Sequence, residues 1–426
     1  MSTNIAPNTV GNSDFLPVIL GGDFAAYSIA RAFHEEYGIR SLAVCTVSAY
    51  LNKYTDIMET IVEPDLTEKD VFVEMLKGIA EKFGDGRKLI LFGARDWNVR
   101  MICENHDELD KHYIVPYISE ELLNRMVLKD SFYEICDRTG VDYPATYVYD
   151  FSKYSMTGAD GKEVSDFDMP FCFPVCAKPA SSAEYYYTEF EGQKKAYIVK
   201  DMDELKSIIA NVEDKSDYNY KFLIQDFIPG DDTNMHILTC YCDRNSKVRF
   251  VAFGHTLLED HSDDAIGNPA VIVNDVNMDV ASKAIRFLEE VGYVGYANFD
   301  IKYDSRDGKY KFFEINTRLG SSNYYVTGSG FNTVKWIVDD YVYGKEFSDE
   351  IVVADNEHMY SVVPRDTIVS YLRHNGEDEL KEMVKRLYRE GKVSVPIDYP
   401  ADRNFIHKLY VKYYLHHQKK KFAEFI

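Results

Sequence analysis

The sequence predicts an α/β domain followed by a larger α+β region, and three observations carry this prediction. In the first 119 residues, short apolar segments alternate with helical segments, a pattern typical of a parallel sheet. From about residue 120, short strands outnumber helices, which indicates antiparallel pairing. A chain of 426 residues is also too long for one hydrophobic core, so several packed units are expected.

The elements of the first domain follow from apolar runs and their boundaries. Residues 17–22 predict a buried strand that ends in the turn Gly21-Gly22, and residues 25–37 predict a helix that Gly38 ends. Further strands are predicted at 41–46, 88–93 and 113–116, with a second helix at 98–109. The Gly-Gly turn matches neither GxGxxG nor a Walker loop, so it is interpreted as a tight strand-to-helix turn, with a substrate-contacting loop as the alternative.

The later region begins with a predicted helix at 120–139, and a polar, exposed loop is expected at 152–168. Helices are predicted at 203–211 and 280–291. The predicted strands, which share short β-branched and aromatic runs, lie at 175–178, 196–200, 222–227, 237–241, 249–255, 296–303 and 309–315.

The formal net charge of −22 argues against a general nucleic-acid binder, because phosphate backbones attract basic surfaces. No segment is apolar and long enough to span a bilayer, and no signal peptide is recognised, so a cytoplasmic enzyme without an integral membrane segment is expected. The seven cysteines have no metal-binding spacing and are interpreted as reduced thiols. The basic end at 416–421 is interpreted as a solvated face. The oligomeric state stays open.

One predicted hairpin, at residues 298–318, concentrates the chemistry. Its strands flank the turn Asp307-Gly308. Asp300 lies on the first strand, and Glu314 and Asn316 lie two residues apart on the second, so both point to one side. Pairing across the turn can bring Asp300 beside them. Two carboxylates and an amide oxygen suit Mg²⁺, which shares its remaining coordination positions with water and phosphate.

Arg318 follows two residues further on and is expected on the same side, where it could neutralise a phosphoryl group or a carboxylate. The alternative is an exposed hairpin with solvated acids. The apolar residues that alternate with the acids argue against this alternative, because acids inside a buried hairpin need partners; they are Phe299, Ile301, Phe312, Phe313 and Ile315.

At these residues the chain resembles the ATP-grasp superfamily, whose signature is an Asp and a Glu-x-Asn pair on a hairpin. The resemblance implies that Asp300, Glu314 and Asn316 hold two Mg²⁺ ions on ATP, with Mn²⁺ expected to be able to replace them. It also implies that Lys129 and Lys178 bind the ATP phosphates.

The segment Leu223-Ile-Gln-Asp-Phe-Ile-Pro-Gly is similar to the adenine hinge of that superfamily. The resemblance implies that the side chain of Gln225 and the backbone at Asp226, Phe227 and Ile228 contact adenine, and that Asp232 binds the ribose. The chain departs from the usual pattern in three places. Gln225 stands where Glu is common, the loop at 180–187 lacks the usual glycines, and Asn298 stands where many relatives have Arg.

More narrowly, the chain resembles the D-aspartate ligases of Gram-positive bacteria. The residues that carry this resemblance are Pro17-Val-Ile-Leu-Gly-Gly-Asp, the helix at 27–39 and the hairpin with Arg318 and Ser321-Ser-Asn-Tyr-Tyr. It implies a carboxylate-amine ligase that joins the β-carboxylate of D-aspartate, through an acyl phosphate, to the lysine side chain of a UDP-MurNAc-pentapeptide peptidoglycan precursor. Arg31 and Arg95, near strand ends, are candidates for binding the amino-acid carboxylate.

The resemblance also implies five segments. They are a disordered N-terminus at 1–14, a Rossmann-like pre-ATP-grasp domain at 15–119, two ATP-grasp subdomains at 120–225 and 226–350, of which the second carries the metal site, and a C-terminal extension at 351–426. Other functions stay open: a ligase for another amino acid, a dipeptide ligase, or an ATP-binding regulatory protein without turnover. As a general base for the amine, His34, His236 and His255 are candidates, each interpreted first as structural.

Overall fold

The computed structural model describes residues 13–158, 162–164, 171–181, 185, 188, 190–262 and 265–424. The predicted disorder at 1–14 therefore falls almost wholly outside the described residues, as do parts of the loops predicted at 152–168 and 180–187. The described chain forms two compact units. The larger unit lies within Met1–Leu123, Asp232–Phe299 and Asn316–Ile426, and the smaller unit lies within Asn124–Asp231 and Asp300–Ile315.

The larger unit begins with a five-stranded, fully parallel sheet of order β3-β2-β1-β4-β5. Apolar cores cover it on both sides. Its strands are β1 Phe15–Leu20, β2 Ser41–Cys45, β3 Met58–Val62, β4 Lys88–Gly93 and β5 Tyr113–Ile114, and its helices are α1 Phe24–Tyr37, α2 Tyr50–Lys53, α3 Lys69–Phe83, α4 Asp96–Glu104 and α5 His106–Leu109. The predicted parallel α/β domain is confirmed, although β3, α2 and α3 were not predicted.

The Gly21-Gly22 turn is tight because both glycines lack room for a side chain. A Cβ at Gly21, where φ is +140°, would lie 2.8 Å from the Cβ of Ala94. A Cβ at Gly22 would lie 2.5 Å from Asn52 Nδ2. The side chain of Asp23 then accepts a hydrogen bond from Ala26 N and begins α1. Close packing of strand and helix thus accounts for both glycines.

The smaller unit contains a six-stranded sheet of order β10-β9-β11-β6-β7-β8, whose pairs are antiparallel. Its strands are β6 Thr146–Asp150, β7 Ser155–Thr157, β8 Glu163–Val164, β9 Val175–Pro179, β10 Tyr197–Val199 and β11 Lys221–Asp226. Helices α7 Lys129–Thr139 and α8 Met202–Lys215 belong to it, and α6 Glu120–Val127 leads into it. The single helix predicted at 120–139 is wrong, because Leu128 adopts an extended backbone and separates α6 from α7.

The third sheet has the strand order β16-β15-β12-β13-β14-β18-β19, with β17 beside β13. Its strands are β12 Met235–Cys242, β13 Val248–Asp260, β14 Asn268–Asp275, β15 Gly295–Asp304, β16 Lys309–Asn316, β17 Val352–Val353, β18 Met359–Ser361 and β19 Val393–Ser394. The predicted hairpin is thus β15 and β16, and its tip belongs to the smaller unit. The sheet's pairs β12–β13, β13–β14 and β14–β18 are antiparallel, as predicted for this region, whereas β13–β17 and β18–β19 are parallel. Helix α9 Met278–Glu290 also belongs to the predicted α+β region.

The residues after the hairpin add helices to the larger unit: α10 Tyr324–Gly328, α11 Thr333–Ile337, α12 Arg365–His374, α13 Asp378–Glu390 and α14 Phe405–Phe422. The predicted amphipathic segment is α13, and the basic end belongs to α14. Among the described residues, no helix combines the length and apolarity that crossing a bilayer requires. The seven cysteines are free thiols.

Candidate functional site

The smaller unit brings together Lys129, Lys178 and Glu314. The ammonium of Lys129, at the start of α7, lies 3.5 Å from Glu314 Oε2 on β16. Lys178, on β9, holds its ammonium 5.6 Å from the centre of the Phe313 ring, which neighbours Glu314 on β16. Two cations from two separate elements therefore converge on one strand, as expected for a site that binds polyanions.

The charges in this cluster shift one another's pKa values. Burial, with the ammonium of Lys129 acting in the same direction, lowers the pKa of Lys178 to about 8. Burial alone would raise the pKa of Glu314, but the ammoniums of Lys129, Lys178 and Lys195 outweigh it and hold that pKa below its ordinary value. Solvent still reaches 44% of the Glu314 side chain, so the carboxylate is open to a ligand as well as surrounded by protein.

Tyr133 supports this cluster from α7. Its hydroxyl donates a hydrogen bond of 3.0 Å to the carbonyl of Phe313, and it accepts one from Gln225 Nε2 at 2.9 Å. The same Gln225 nitrogen donates to Thr146 Oγ1 at 2.8 Å. One tyrosine thus ties β16 to β11, and the side chain of Gln225, which is 2% exposed, is held inside the smaller unit.

The predicted metal ligands lie on the two strands of the hairpin. Asp300 is half-buried on β15, and Glu314, Asn316 and Arg318 alternate with the buried residues Ile315 and Thr317. Asn316 Nδ2 lies 3.5 Å from the carbonyl of Asn298. The alternation matches the predicted spacing of two residues along one side of the strand.

The donor set fits Mg²⁺ only in combination with a phosphate-bearing ligand. Within the described ranges, no three His, Cys, Asp or Glu side chains group as ligands for a metal. Asp300 and Glu314 supply two carboxylates and Asn316 one amide, all hard oxygen donors. Phosphate oxygens would supply further ligands, and the ammoniums of Lys129 and Lys178 would receive the remaining phosphate charge.

The predicted hinge residues differ in what their groups already bind. The backbone nitrogen of Asp226 donates to the carbonyl of Ala145 at 2.9 Å, and its carboxylate accepts both Nη atoms of Arg306. The amide of Gln225 is likewise bound by Tyr133 and Thr146 inside the smaller unit.

Asp232 lies in the larger unit and is 8% exposed. Its carboxylate accepts the backbone nitrogen of Glu259 at 2.9 Å and contacts His261 Nε2 at 2.9 and 3.0 Å. Each carboxylate oxygen carries two lone pairs, so a ribose hydroxyl could still donate to it.

A cavity of about 550 Å³ lies in the smaller unit beside Ile228 and Arg306. It does not include Lys129, Lys178 or Glu314 among its lining residues. Its lining includes the ion pairs of Arg306 with Asp226 and Asp304 and of Lys311 with Asp307. The cavity is therefore not the site formed by Lys129, Lys178 and Glu314.

In the larger unit, four charged residues form two ion pairs at the carboxyl ends of β1 and β4. Arg95 Nε donates to Asp23 Oδ2 at 2.7 Å, and Arg318 donates to both carboxylate oxygens of Asp96. Ligands bind preferentially at this edge of a parallel sheet. Asp23 and Asp96 were not predicted, although Asp23 follows the Gly-Gly turn directly and Asp96 follows Arg95.

Arg31 is held by the protein itself. The residue is 7% exposed. Its guanidinium donates to the carbonyls of Val395 and Pro396 and pairs with Glu35 at 2.8 Å. The rings of Tyr324 and Tyr399 lie 4.1 and 4.7 Å from it. These contacts join α1 to the C-terminal segment, and a substrate carboxylate would have to displace them.

The three histidines considered as bases also have protein partners. His34 Nδ1 lies 2.8 Å from the hydroxyl of Tyr399. His255 Nε2 lies 2.6 Å from the carbonyl of Thr233, and His236 stacks on His255 with ring centres 4.7 Å apart. Burial, with the neighbouring His255 acting in the same direction, lowers the pKa of His236 to about 3. Structural roles account for all three.

Comparison with known proteins identifies the class of fold. Residues 156–336 match the model of the carbamoyl-phosphate synthase L chain, ATP binding domain. The biotin carboxylase domain of Hydrogenobacter thermophilus 2-oxoglutarate carboxylase, solved with MgADP, has a TM-score of 0.58 at 13% identity, over 82% of this chain and 73% of that one. The L-amino acid ligase of Bacillus licheniformis has a TM-score of 0.52 at 13% identity, over 78% and 74%. The fold is therefore that of the ATP-grasp class, as the resemblance of the hairpin implied.

A curated relative narrows the class. The D-aspartate ligase of Enterococcus faecium (strain Aus0004) is 35% identical over 423 residues, which are 98% of each chain. The chain belongs to the family of this D-aspartate ligase. It is an ATP-dependent ligase that forms a carbon-nitrogen bond.

Proposed function

We propose that this ligase joins D-aspartate, through its β-carboxylate, to the lysine side chain of UDP-MurNAc-pentapeptide, a peptidoglycan precursor. The observation that carries the proposal is the similarity to a D-aspartate ligase along nearly the whole length of both chains. A relative that shared only the ATP-binding core would support the phosphoryl chemistry but not the substrates. Because the proposed acceptor is a cytoplasmic precursor, a cytoplasmic location belongs to the proposal.

The nucleotide-binding part of the proposal rests on the cluster around Glu314. Lys129 and Lys178 bind the ATP phosphates, and Asp300, Glu314 and Asn316 hold two magnesium ions, which Mn²⁺ could replace. Bound magnesium would offset the negative charge that develops during phosphoryl transfer. Glu314 pairs with Lys129 at 3.5 Å. When metal and nucleotide bind, Glu314 would pair with the metal and Lys129 with a phosphate instead.

The remainder of the nucleotide is assigned to the hinge and to Asp232. The backbone of Phe227 and Ile228 contacts the adenine edge, and Asp232 accepts from a ribose hydroxyl. Gln225 positions the hinge from inside, because its amide is bonded to Tyr133 and Thr146. Asp226 has the same supporting role through Ala145 and Arg306.

The protein's own side chains then act on the carboxylate. A carboxylate oxygen attacks the γ-phosphorus of ATP, ADP leaves, and the amine next displaces phosphate from the acyl carbon. Lys178 and Lys129 hold the phosphates, and Arg318 is assigned to stabilise the negative charge of the carboxylate and the phosphoryl group. The reaction also requires that water be kept from the acyl phosphate, which it would hydrolyse.

The amino-acid subsite is assigned to the strand-end ion pairs of the larger unit. Arg95, whose side chain is 61% exposed, can turn from Asp23 to a substrate carboxylate at little cost, because exposed ion pairs are weak. Asp23 can in turn receive the substrate ammonium. Arg31 is left to its structural contacts with Val395, Pro396 and Glu35.

The test measures ADP release with D-aspartate, L-aspartate and D-alanine, each with and without UDP-MurNAc-pentapeptide, followed by the mass of the product. We expect D-aspartate to give the fastest release and a precursor heavier by one aspartyl residue. Preference for an L-amino acid, or a free dipeptide formed without the precursor, would contradict the proposed substrates. ATP binding without ADP release under any of these conditions would instead support a regulatory protein.

A further inference from the structure

Helix α14 carries an exposed apolar stripe on its outer side. Phe405, Leu409 and Tyr413 succeed one another at intervals of four residues, which places them on one side of the helix. Their exposed fractions are 72%, 50% and 65%, and Ile406 beside them is 42% exposed. The neighbouring α2 extends the patch through Tyr50, which is 58% exposed and stacks on Tyr410 of α14.

A row of lysines runs along the same outer side. Lys408, Lys412, Lys419 and Lys420 are exposed. The chain has 70 Asp and Glu among its 426 residues, yet residues 403–423 contain none, so the helix has no acid of its own to offset its lysines. An apolar stripe beside a lysine row is typical of helices that lie in the headgroup region of an anionic membrane.

The opposite side of α14 is anchored in the larger unit, so the exposed stripe does not result from a loose helix. His407, Val411, Gln418 and Phe422 are buried. His407 Nε2 lies 2.8 Å from the carbonyl of Ile397. The helix is thus fixed with its apolar stripe outward.

The chemistry of this surface favours one kind of partner. A second copy that used the same patch would set one lysine row against the other, because a twofold interface is formed by identical surfaces. A contact between the lysine row and the acidic remainder of another copy would pair the lysines but leave the apolar stripe without an apolar partner, and it would build rings or filaments. An anionic lipid surface satisfies both features at once, since headgroups pair with the lysines and the interface takes up the aromatic and aliphatic side chains.

We propose that the outer side of α14, together with Tyr50, docks the enzyme reversibly on membranes that contain anionic lipids. The net charge of −22 does not prevent this, because salt screens charges beyond about 8 Å at physiological ionic strength. Only the residues next to the surface then contribute. The contact is peripheral and independent of the ATP-binding cluster.

The proposal is tested by sedimentation of the full chain with vesicles of phosphatidylglycerol and phosphatidylcholine, compared with pure phosphatidylcholine. We expect binding to the anionic vesicles only, and weaker binding as salt is raised. In Lys408→Gln/Lys412→Gln, partition should fall about 25-fold, since each lysine near an anionic surface contributes about fivefold. In Leu409→Ser/Tyr413→Ser it should also fall, while Lys215→Gln on α8, an exposed lysine elsewhere, should bind like the parent.

Circular dichroism and ADP release of the same variants separate docking from folding, because the substituted residues are exposed and lie outside the proposed active site. Equal binding to both kinds of vesicle, or binding that the α14 variants do not change, would overturn the proposal. So would a dimer in solution that Leu409→Ser/Tyr413→Ser dissociates while vesicle binding is absent from the parent.

Discussion

The guanidinium of Arg318 donates two hydrogen bonds to the carboxylate of Asp96, from Nε to Oδ1 at 2.8 Å and from Nη2 to Oδ2 at 3.1 Å. Arg318 Nη1 also donates to the carbonyl of Leu319 at 3.1 Å. The side chain of Arg318 is 13% exposed, whereas that of Asp96 is 71% exposed. Asp96 therefore orients a cation that is otherwise enclosed by protein.

Asp96→Asn is predicted to slow turnover without weakening ATP binding. Loss of one charged partner at an exposed carboxylate costs about 1 kcal/mol, so kcat should fall about fivefold. The matched control is Asp107→Asn, which neutralises a fully exposed acid on the neighbouring helix α5. Turnover and ATP affinity by calorimetry check the prediction, and an unchanged kcat in Asp96→Asn would show that the orientation of Arg318 does not limit the reaction.

The lysine pair gives the second prediction. Lys178→Ala should weaken ATP binding at least tenfold, because a charge-assisted hydrogen bond to phosphate contributes about 1.5–3 kcal/mol. Lys215→Ala, a surface lysine on α8 of the same unit, should bind ATP like the parent. Calorimetric titration with ATP compares the two variants, and equal affinities would place the phosphates away from β9.

The hairpin was predictable because its local sequence contains the whole pattern. Apolar residues and acids alternate on both strands, and the Asp307-Gly308 turn fixes their pairing, so the common side of Glu314, Asn316 and Arg318 followed from the period of a strand. Gly308 has a φ of +72°, which a turn of this kind requires.

Other features depend on residues far apart in the chain. Arg31 is bound by carbonyls more than 360 residues later, and Arg318 is bound by an acid 222 residues earlier, for which no local spacing gives a signal. Strand β3 was missed because the polar residues Glu59 and Thr60 interrupt its apolar pattern, and β14 was missed because Pro269 stands near its start.

His358 supplies a prediction about pH. It lies 2.8 Å from Ser394 Oγ, and burial, with the charge of Arg31 acting in the same direction, lowers its pKa from 6.5 to about 4. The unfolded chain therefore binds a proton at this residue more readily than the folded chain. The stability contributed by neutral His358 is complete above pH 6.5 and is lost as the pH falls from 6.5 towards 4.

The measurement is the free energy of unfolding in urea at pH 7 and at pH 4.5 for the parent and His358→Gln. Glutamine keeps a polar group near Ser394 and cannot titrate. Between the two pH values, His358→Gln should therefore lose less stability than the parent, by about 2 kcal/mol. His417→Gln on the exposed side of α14 is the control and should follow the parent. Identical losses in all three proteins would show that His358 does not set the pH dependence.

Gly295 and Gly308 have similar left-handed backbone angles but differ in the space that is available for a side chain. Gly295 begins β15 with a φ of +79°, and a Cβ there would lie 2.2 Å from the carbonyl oxygen of Pro116. Gly308 has a φ of +72°, but the nearest atom to its Cβ would be the hydroxyl of Tyr303 at 4.0 Å.

Gly295→Ala is therefore predicted to destabilise the protein much more than Gly308→Ala. Both pay the cost of a left-handed backbone, about 1 kcal/mol for alanine. Only Gly295→Ala must also move the backbone at Pro116, which cannot rotate away as a flexible side chain would, so we expect a total loss of about 3 kcal/mol or more. Urea unfolding of the two variants measures the difference. Gly295 lies at the base of the strand that carries Asp300, so Gly295→Ala should also lose ADP release in proportion to its unfolded fraction. Equal stabilities of the two variants would mean that the backbone at Pro116 adjusts at little cost.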